Sequence, residues 1–169
     1  MKFKLFICLF IGILFCSCVF GYLIKPIGFK YKYDGKYTGI DTLINIEGYY
    51  YDGGSHYIMF YSDGLASSYS HRMDTITHRS PVWGNYVLSK DTIKFQKVVD
   101  NGLMTDIGVD MVYFIILSPK EIKEIYPAYK GEREYSFHPL ENRIDSTNWL
   151  LKKKWFWKDK NAYKKRKKE

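Results

Sequence analysis

Tyr57–Ser62 reads YIMFYS, Asp63-Gly64 follows, and Leu65–Ser70 reads LASSYS. An Asp-Gly pair between two strand-like runs is the strongest short-range hairpin signal, because its turn needs positive φ, which Gly and Asp tolerate best. The flanking sequence repeats the pattern. Upstream, Leu43–Tyr51 (LINIEGYYY) stops at Asp52-Gly53-Gly54. Downstream, Val82–Ser89 (VWGNYVLS) and Thr92–Val99 (TIKFQKVV) form a second pair across Lys90-Asp91. In the latter run Ile93 and Phe95 alternate with Thr92, Lys94 and Gln96, as a strand with one wet face should.

Asn101-Gly102 marks a further turn, and Met111–Leu117 (MVYFIIL) is apolar on both faces, the pattern of a central, covered strand. Ser118-Pro119-Lys120-Glu121 has the form of a helix start, yet Ile122, Glu124 and Tyr126 alternate, which favours a returning strand. Tyr135–His138 reads as the last strand, and Asp145-Ser146-Thr147-Asn148 as a cap leading into Trp149-Leu150-Leu151. Turn signals thus recur about every ten residues with no long helix between strands. The expected class is all-β: an antiparallel barrel or sandwich of about eight strands with a short C-terminal helix.

The order Phe60-Tyr61-Ser62-Asp63-Gly64, Trp83-Gly84-Asn85-Tyr86 and Asp91-Thr92-Ile93-Lys94-Phe95-Gln96 resembles the lipocalin-like lipoproteins of Gram-negative bacteria. In such domains a strand ending in Trp-Gly-x-Tyr is followed by a Gly- or Asp-marked turn and a Thr-Ile strand. The match runs from Leu43 to Leu117 and implies a lipocalin-like barrel. It carries no ligand-contacting residue with it.

The N-terminus sets the expected compartment. Lys2 and Lys4 precede an uninterrupted apolar stretch, Leu5–Phe15, of signal-peptide length. Ser17-Cys18 then supplies the small residue before a cysteine that lipoprotein processing uses, so Cys18 is the expected lipidation site. In the rival reading Leu5–Ile24, which holds no charge, is retained as a single transmembrane anchor. Both readings place the body in the cell envelope; the first puts it at the outer membrane, facing the periplasm. Cys8, Cys16 and Cys18 are the chain's three cysteines, so a body starting at an acylated Cys18 has neither a disulfide nor a thiol site.

The expected division is a signal peptide over 1–17, a lipidated N-terminus and tether over 18–42, a β-domain over 43–146 and an aromatic, basic segment over 147–169. Residues 30–33 of the tether also read as a short strand that could pack on the domain. The formal charge of +8 is concentrated at the C-terminus, where Thr147–Glu169 holds ten Lys and Arg against two acids. Cys18–Ser146 carries 14 basic and 16 acidic residues, which argues against a nucleic-acid-binding face.

No catalytic motif or cofactor fingerprint occurs, so the expectation is no enzyme, no cofactor and no metal. His71, Asp74 and His78 have a spacing that one helical face could use for zinc, but they fall between strands and read as a polar loop. Asp100, Asp106 and Asp110 lack the spacing of a calcium loop. Aromatic residues dominate the predicted strands, and a barrel of this size is either filled by side chains or encloses one small ligand. Phe60, Trp83, Tyr86, Phe95 and Phe114 are the candidates for a pocket lining. Two binding roles follow: a small apolar or amphipathic ligand in the barrel, or a protein partner in an envelope complex.

At the C-terminus, Lys152, Lys153 and Lys154 stand beside Trp155, Phe156 and Trp157. Lys152, Lys153, Lys154, Trp155 and Trp157 are candidate membrane-surface contacts, since Trp favours the interface and Lys favours anionic headgroups. Alternatively, Trp149, Trp155 and Trp157 cap one end of the barrel while the lysines stay solvated.

Overall fold

A computed structural model describes Pro26 and residues 28–70, 81–100, 107–126, 131–140 and 148–166. Eight strands follow one another: β1 (Gly48–Tyr51), β2 (His56–Phe60), β3 (Leu65–Ser70), β4 (Val82–Ser89), β5 (Thr92–Asp100), β6 (Ile107–Ser118), β7 (Glu121–Tyr126) and β8 (Gly131–Pro139). Each pairs antiparallel with the next, and β8 returns to β1 through pairs such as Tyr50↔Phe137, closing the sheet. The protein is thus a closed, lipocalin-like antiparallel barrel with one short C-terminal helix, Lys160–Arg166. Closure removes both sheet edges, and with them the unpaired backbone groups that an open sandwich would expose.

The Asp63-Gly64 turn joins β2 to β3, with Gly64 at φ +91°. Between β4 and β5 the left-handed position is taken by Lys90 at φ +57°. Residues 121–126 form a strand, as their alternation predicts, and Pro119-Lys120 forms the turn before it.

Strand parity sorts the side chains. Tyr50, Ile58, Phe60, Ala66, Tyr86, Ile93, Phe95, Val112, Phe114, Ile122 and Tyr135 point inward and form one buried cluster. Phe60 sits among the rings of Tyr50, Tyr86 and Phe114, with centroids 6.1, 5.6 and 5.9 Å away. At Gly84 the wall is so close that a Cβ would lie 2.1 Å from the Gln96 carbonyl oxygen, so only glycine fits.

Of the run Leu43–Tyr51, only Gly48–Tyr51 enters the sheet. The preceding chain coils as a 3-10 turn, Ile40–Thr42, which delivers fully buried Ile40 and Ile44 into one mouth of the barrel. Plugging that mouth removes two branched apolar side chains from solvent. The same mouth receives the β2–β3 turn, the end of β4 and the start of β5; the opposite mouth is left open by this segment.

A second apolar cluster lies on the outside of the barrel. Leu65, Trp83 and Val98 project outward and are covered by Phe29 and Tyr33 from the N-terminal segment and by Leu150, Phe156 and Trp157 from the C-terminal one. From Gly28 onward the stretch read as a tether is therefore part of the domain. Asn148 caps the turn Trp149–Lys152, its side-chain oxygen accepting from Leu150 N at 3.0 Å. The remaining residues of that predicted cap, 145–147, lie outside the described residues, as do Asn101-Gly102 and the N-terminal 25 residues including Cys18.

Candidate functional site

The interior changes character along the barrel axis. At the plugged end it is filled by rings and branched side chains. Toward the opposite end the described residues leave a cavity of about 210 Å³, floored by Ile58, Phe95, Val112 and Phe114 and walled by His56, Ser68, Lys97, Glu124, Arg133 and Tyr135. The lining thus mixes apolar side chains with both signs of charge, Glu124 standing directly across from Phe114.

The charged wall is built by register. Glu124 on β7 and Arg133 on β8 are direct cross-strand partners, as are Lys97 on β5 and Asp110 on β6. Glu124 is buried, and its Oε2 accepts a 2.6 Å hydrogen bond from the Tyr135 hydroxyl while standing 3.7 Å from Arg133 Nη1. Arg133 also places Nε 3.3 Å from Asp52 Oδ2, and the same carboxylate oxygen lies 3.0 Å from His56 Nδ1. Lys97 Nζ reaches Asp110 at 3.5 Å. A buried carboxylate needs such partners, because unpaired charge in a low-dielectric interior is costly.

Two titrations reflect this environment. Burial, then the hydrogen bond to Glu124, pushes the Tyr135 phenol well above its ordinary value, so it remains a donor. Burial works against ionisation of Asp52, but the backbone N–H groups of His56 and Gly54 and the His56 ring hold its carboxyl below the usual value. Asp52 therefore stays anionic and holds the His56 ring through Nδ1. Chemically, the wall offers fixed donors and acceptors to a polar group, and the floor offers contact to an apolar one.

The sequence candidates divide across this geometry. Phe95 and Phe114 line the cavity. Phe60 and Tyr86 are inside the barrel but deeper, in its filled part; the Tyr86 hydroxyl donates to the Tyr61 carbonyl at 2.6 Å and lies 2.7 Å from Thr38 Oγ1. Trp83 faces the other way, into the outer cluster beside Tyr61. The β4 run is apolar on both faces near Trp83, so parity alone does not orient it. His56, Lys97, Glu124, Arg133 and Tyr135 were not singled out from sequence. Their signal was present: Glu124 falls in phase with inward Ile122, and Arg133 in phase with Tyr135 and Phe137.

At the C-terminus the aromatics turn inward. Trp157 is buried, its indole N–H donating to the Leu151 carbonyl at 3.0 Å, and Trp155 stacks edge-on against Phe29 at 5.1 Å. They cover the side wall of the barrel, not one of its mouths. Lys153 lies over the Trp149 ring at 5.5 Å, while Lys152 and Lys154 are exposed.

His71, Asp74 and His78 lie outside the described residues, as does Asp106. Among the described residues no group of His, Cys, Asp or Glu side chains is arranged to hold a metal ion, and no helix is long and apolar enough to cross a membrane. No protein-family model, curated protein or solved structure matches this chain.

Proposed function

We propose that this protein is a cell-envelope lipoprotein, anchored through Cys18, whose barrel binds a small amphipathic ligand in the cavity away from the Ile40–Ile44 plug. The observation that carries the reading is the mixed lining of the cavity, apolar Phe95, Val112 and Phe114 together with charged Glu124, Arg133 and Lys97. A purely apolar ligand would set hydrocarbon against charged groups, whereas a polar head over a short apolar tail suits both parts of the lining. The volume of about 210 Å³ limits the ligand to a compact molecule or one chain end. The resemblance to lipocalin-like lipoproteins of Gram-negative bacteria supports the same assignment, with the barrel in the periplasm.

The test is native mass spectrometry of protein purified without detergent, with titration by octanoate and octylammonium followed through displacement of 8-anilino-1-naphthalenesulfonate. Wild type should retain or bind one molecule, and Val112→Phe, which fills the cavity floor, should abolish binding while keeping a cooperative melt. Absence of binding by wild type, or equal binding by Val112→Phe, would reject the reading. The alternative role, a non-catalytic adaptor in an envelope complex, calls for a broad exposed apolar patch. Among the described residues the exposed large apolar side chains are Tyr37, Leu43 and Leu117, which supports the ligand-binding role.

A further inference from the structure

The fold joins two basic segments that are far apart in sequence. Tyr33 and Trp157 form a parallel bridge in which Tyr33 N donates to the Phe156 carbonyl at 2.9 Å and Lys158 N donates to the Tyr33 carbonyl at 2.7 Å. The Tyr33 ring stacks on Phe156 at 5.3 Å and meets Trp157 edge-on at 4.9 Å. The C-terminal helix then folds back, with Tyr163 against Trp157 at 6.5 Å. Residues 28–36 and 158–166 together carry eight basic side chains against two acids, Asp34 and Asp159.

Between the N-terminal segment and β4 runs a surface cleft of about 640 Å³, lined by Lys30, Lys32, Lys36 and Lys158, with Tyr31 and Tyr37 among its other walls. All four lysines are exposed, and Tyr37 is the most exposed large apolar residue of those described. Among the described residues, no carboxylate lies within ion-pair distance of these four ammonium groups. Two carboxylates also line the cleft: Asp63 accepts from the Tyr33 hydroxyl and from Leu65 N, and Asp34 accepts from Lys36 N, so the four lysines outnumber them. The net field of this face is therefore positive, and a flat anionic surface is its complement.

We propose that this face, Lys30, Lys32 and Lys36 with Lys158 and the C-terminal helix, docks the barrel onto anionic lipid headgroups of the membrane that holds the N-terminus. The proposal rests on the anchored reading, and the tether makes it geometrically immediate. Lys30 lies twelve positions beyond Cys18, an extended reach of at most about 43 Å. The lysines thus stand where the anchored chain first meets the folded domain. Exposed Tyr37 beside them fits the headgroup layer, where tyrosine is favoured. The face lies on the side wall near the plugged mouth, since it uses residues 85–88 of β4 and the β2–β3 turn.

The experiment uses the full chain with vesicles of phosphatidylcholine alone and of phosphatidylcholine with phosphatidylglycerol. Flotation with the neutral vesicles reports the anchor. Acetylation of lysines, read by mass spectrometry, reports docking. On anionic vesicles at low salt, Lys30, Lys32, Lys36, Lys158, Lys160, Lys164 and Lys165 should react at least about threefold more slowly than on neutral ones, while Lys90 and Lys120 are unchanged. High salt should erase the difference, because exposed charges are screened. Lys30→Glu/Lys32→Glu/Lys36→Glu should lose the protection at Lys158–Lys165; Lys94→Glu/Lys120→Glu should keep it.

Flotation on both vesicles with identical labelling overturns docking and leaves the anchor standing. Failure to float on neutral vesicles rejects the anchor, and docking is then read from salt-sensitive flotation on anionic vesicles alone. Equal protection by soluble polyphosphate without vesicles would reassign the face to a soluble polyanion and overturn the membrane proposal. Ligand binding in the barrel is measured independently of all these arms.

Discussion

The side-chain amide of Gln96 meets Tyr31 as one peptide unit meets another. Tyr31 N donates to Gln96 Oε1 at 3.0 Å, and Gln96 Nε2 donates back to the Tyr31 carbonyl at 2.9 Å. Lys30 N shares the same Oε1 at 2.5 Å, Asn85 Nδ2 reaches the same carbonyl at 3.1 Å, and Gln96 Nε2 also donates to Asn85 Oδ1 at 3.2 Å. Two fully covered amides on the outer wall of β4 and β5 thus clamp a segment that belongs to no strand. That clamp holds the N-terminal lysines against the barrel.

Gln96→Leu keeps the volume and removes the clamp. It leaves the backbone N–H groups of Lys30 and Tyr31 without their acceptor, at a cost of about 1–3 kcal/mol for each that stays buried. The expected result is a lower melting temperature and early tryptic cleavage after Lys30 and Lys32. An unchanged melt with an unchanged digest would show that other contacts hold the segment.

Gly64→Val should destabilise the domain by about 1–2 kcal/mol. Gly64 sits at φ +91°, and its added Cβ would also approach Thr38 Cγ2 to 3.3 Å. A thermal melt should fall by several degrees. Gly64→Asn, which tolerates the left-handed region better, should recover part of the loss, and equal midpoints for all three proteins would contradict the strain argument.

Arg133→Met removes the cation that Glu124 and Asp52 share. Stranding a buried carboxylate costs about 3–5 kcal/mol, whereas replacing both members of a pair by apolar residues costs less. Glu124→Leu in the Arg133→Met background should therefore restore stability. Chemical denaturation of the two single variants and the double variant measures this; strictly additive losses would exclude coupling across the β7–β8 pair.

Stability should fall as pH rises above about 10. Burial first, with Asp63 beside Tyr33 and Glu124 beside Tyr135, holds the phenols of Tyr33, Tyr50, Tyr86 and Tyr135 above the ordinary value of 10.0. Because the folded values are raised, the stability they confer is complete below the unfolded value. It is lost above it, as the unfolded chain releases protons that the native state keeps. Each such phenol contributes a slope of about 1.4 kcal/mol per pH unit. Absorbance at 295 nm against circular dichroism should show these four ionising only with unfolding. Complete, reversible ionisation of all sixteen tyrosines near pH 10 with the β-spectrum intact would refute it.

Much of the fold was legible because turns and alternation are local. Asp63-Gly64 and the phase of Ile93 and Phe95 are dictated within a few residues by φ preference and by the two-residue pleat. The return strand at Glu121–Tyr126 followed from the alternation of Ile122, Glu124 and Tyr126. The cavity was half legible. Phe95 was identifiable as an inward aromatic from its alternation, but Phe114, Trp83 and Tyr86 lie in runs with apolar residues on both parities. Only the wrapping of a second apolar layer around the barrel sends Trp83 outward.

By itself, the sequence determined the strand pattern, the turns, the concentration of positive charge at the C-terminus and the presence of an apolar N-terminal stretch, because each depends on neighbours along the chain. The tertiary structure decided the rest. Closure of β1 on β8 selects barrel over sandwich, and the plug of Ile40 and Ile44 selects which mouth is filled. Register places Arg133 opposite Glu124, and the Tyr33–Trp157 bridge joins lysines from both ends of the chain into one face. These are pairings between residues whose separation in sequence carries no period. They are fixed by which surfaces bury the most apolar area and satisfy the most backbone groups once the chain is folded.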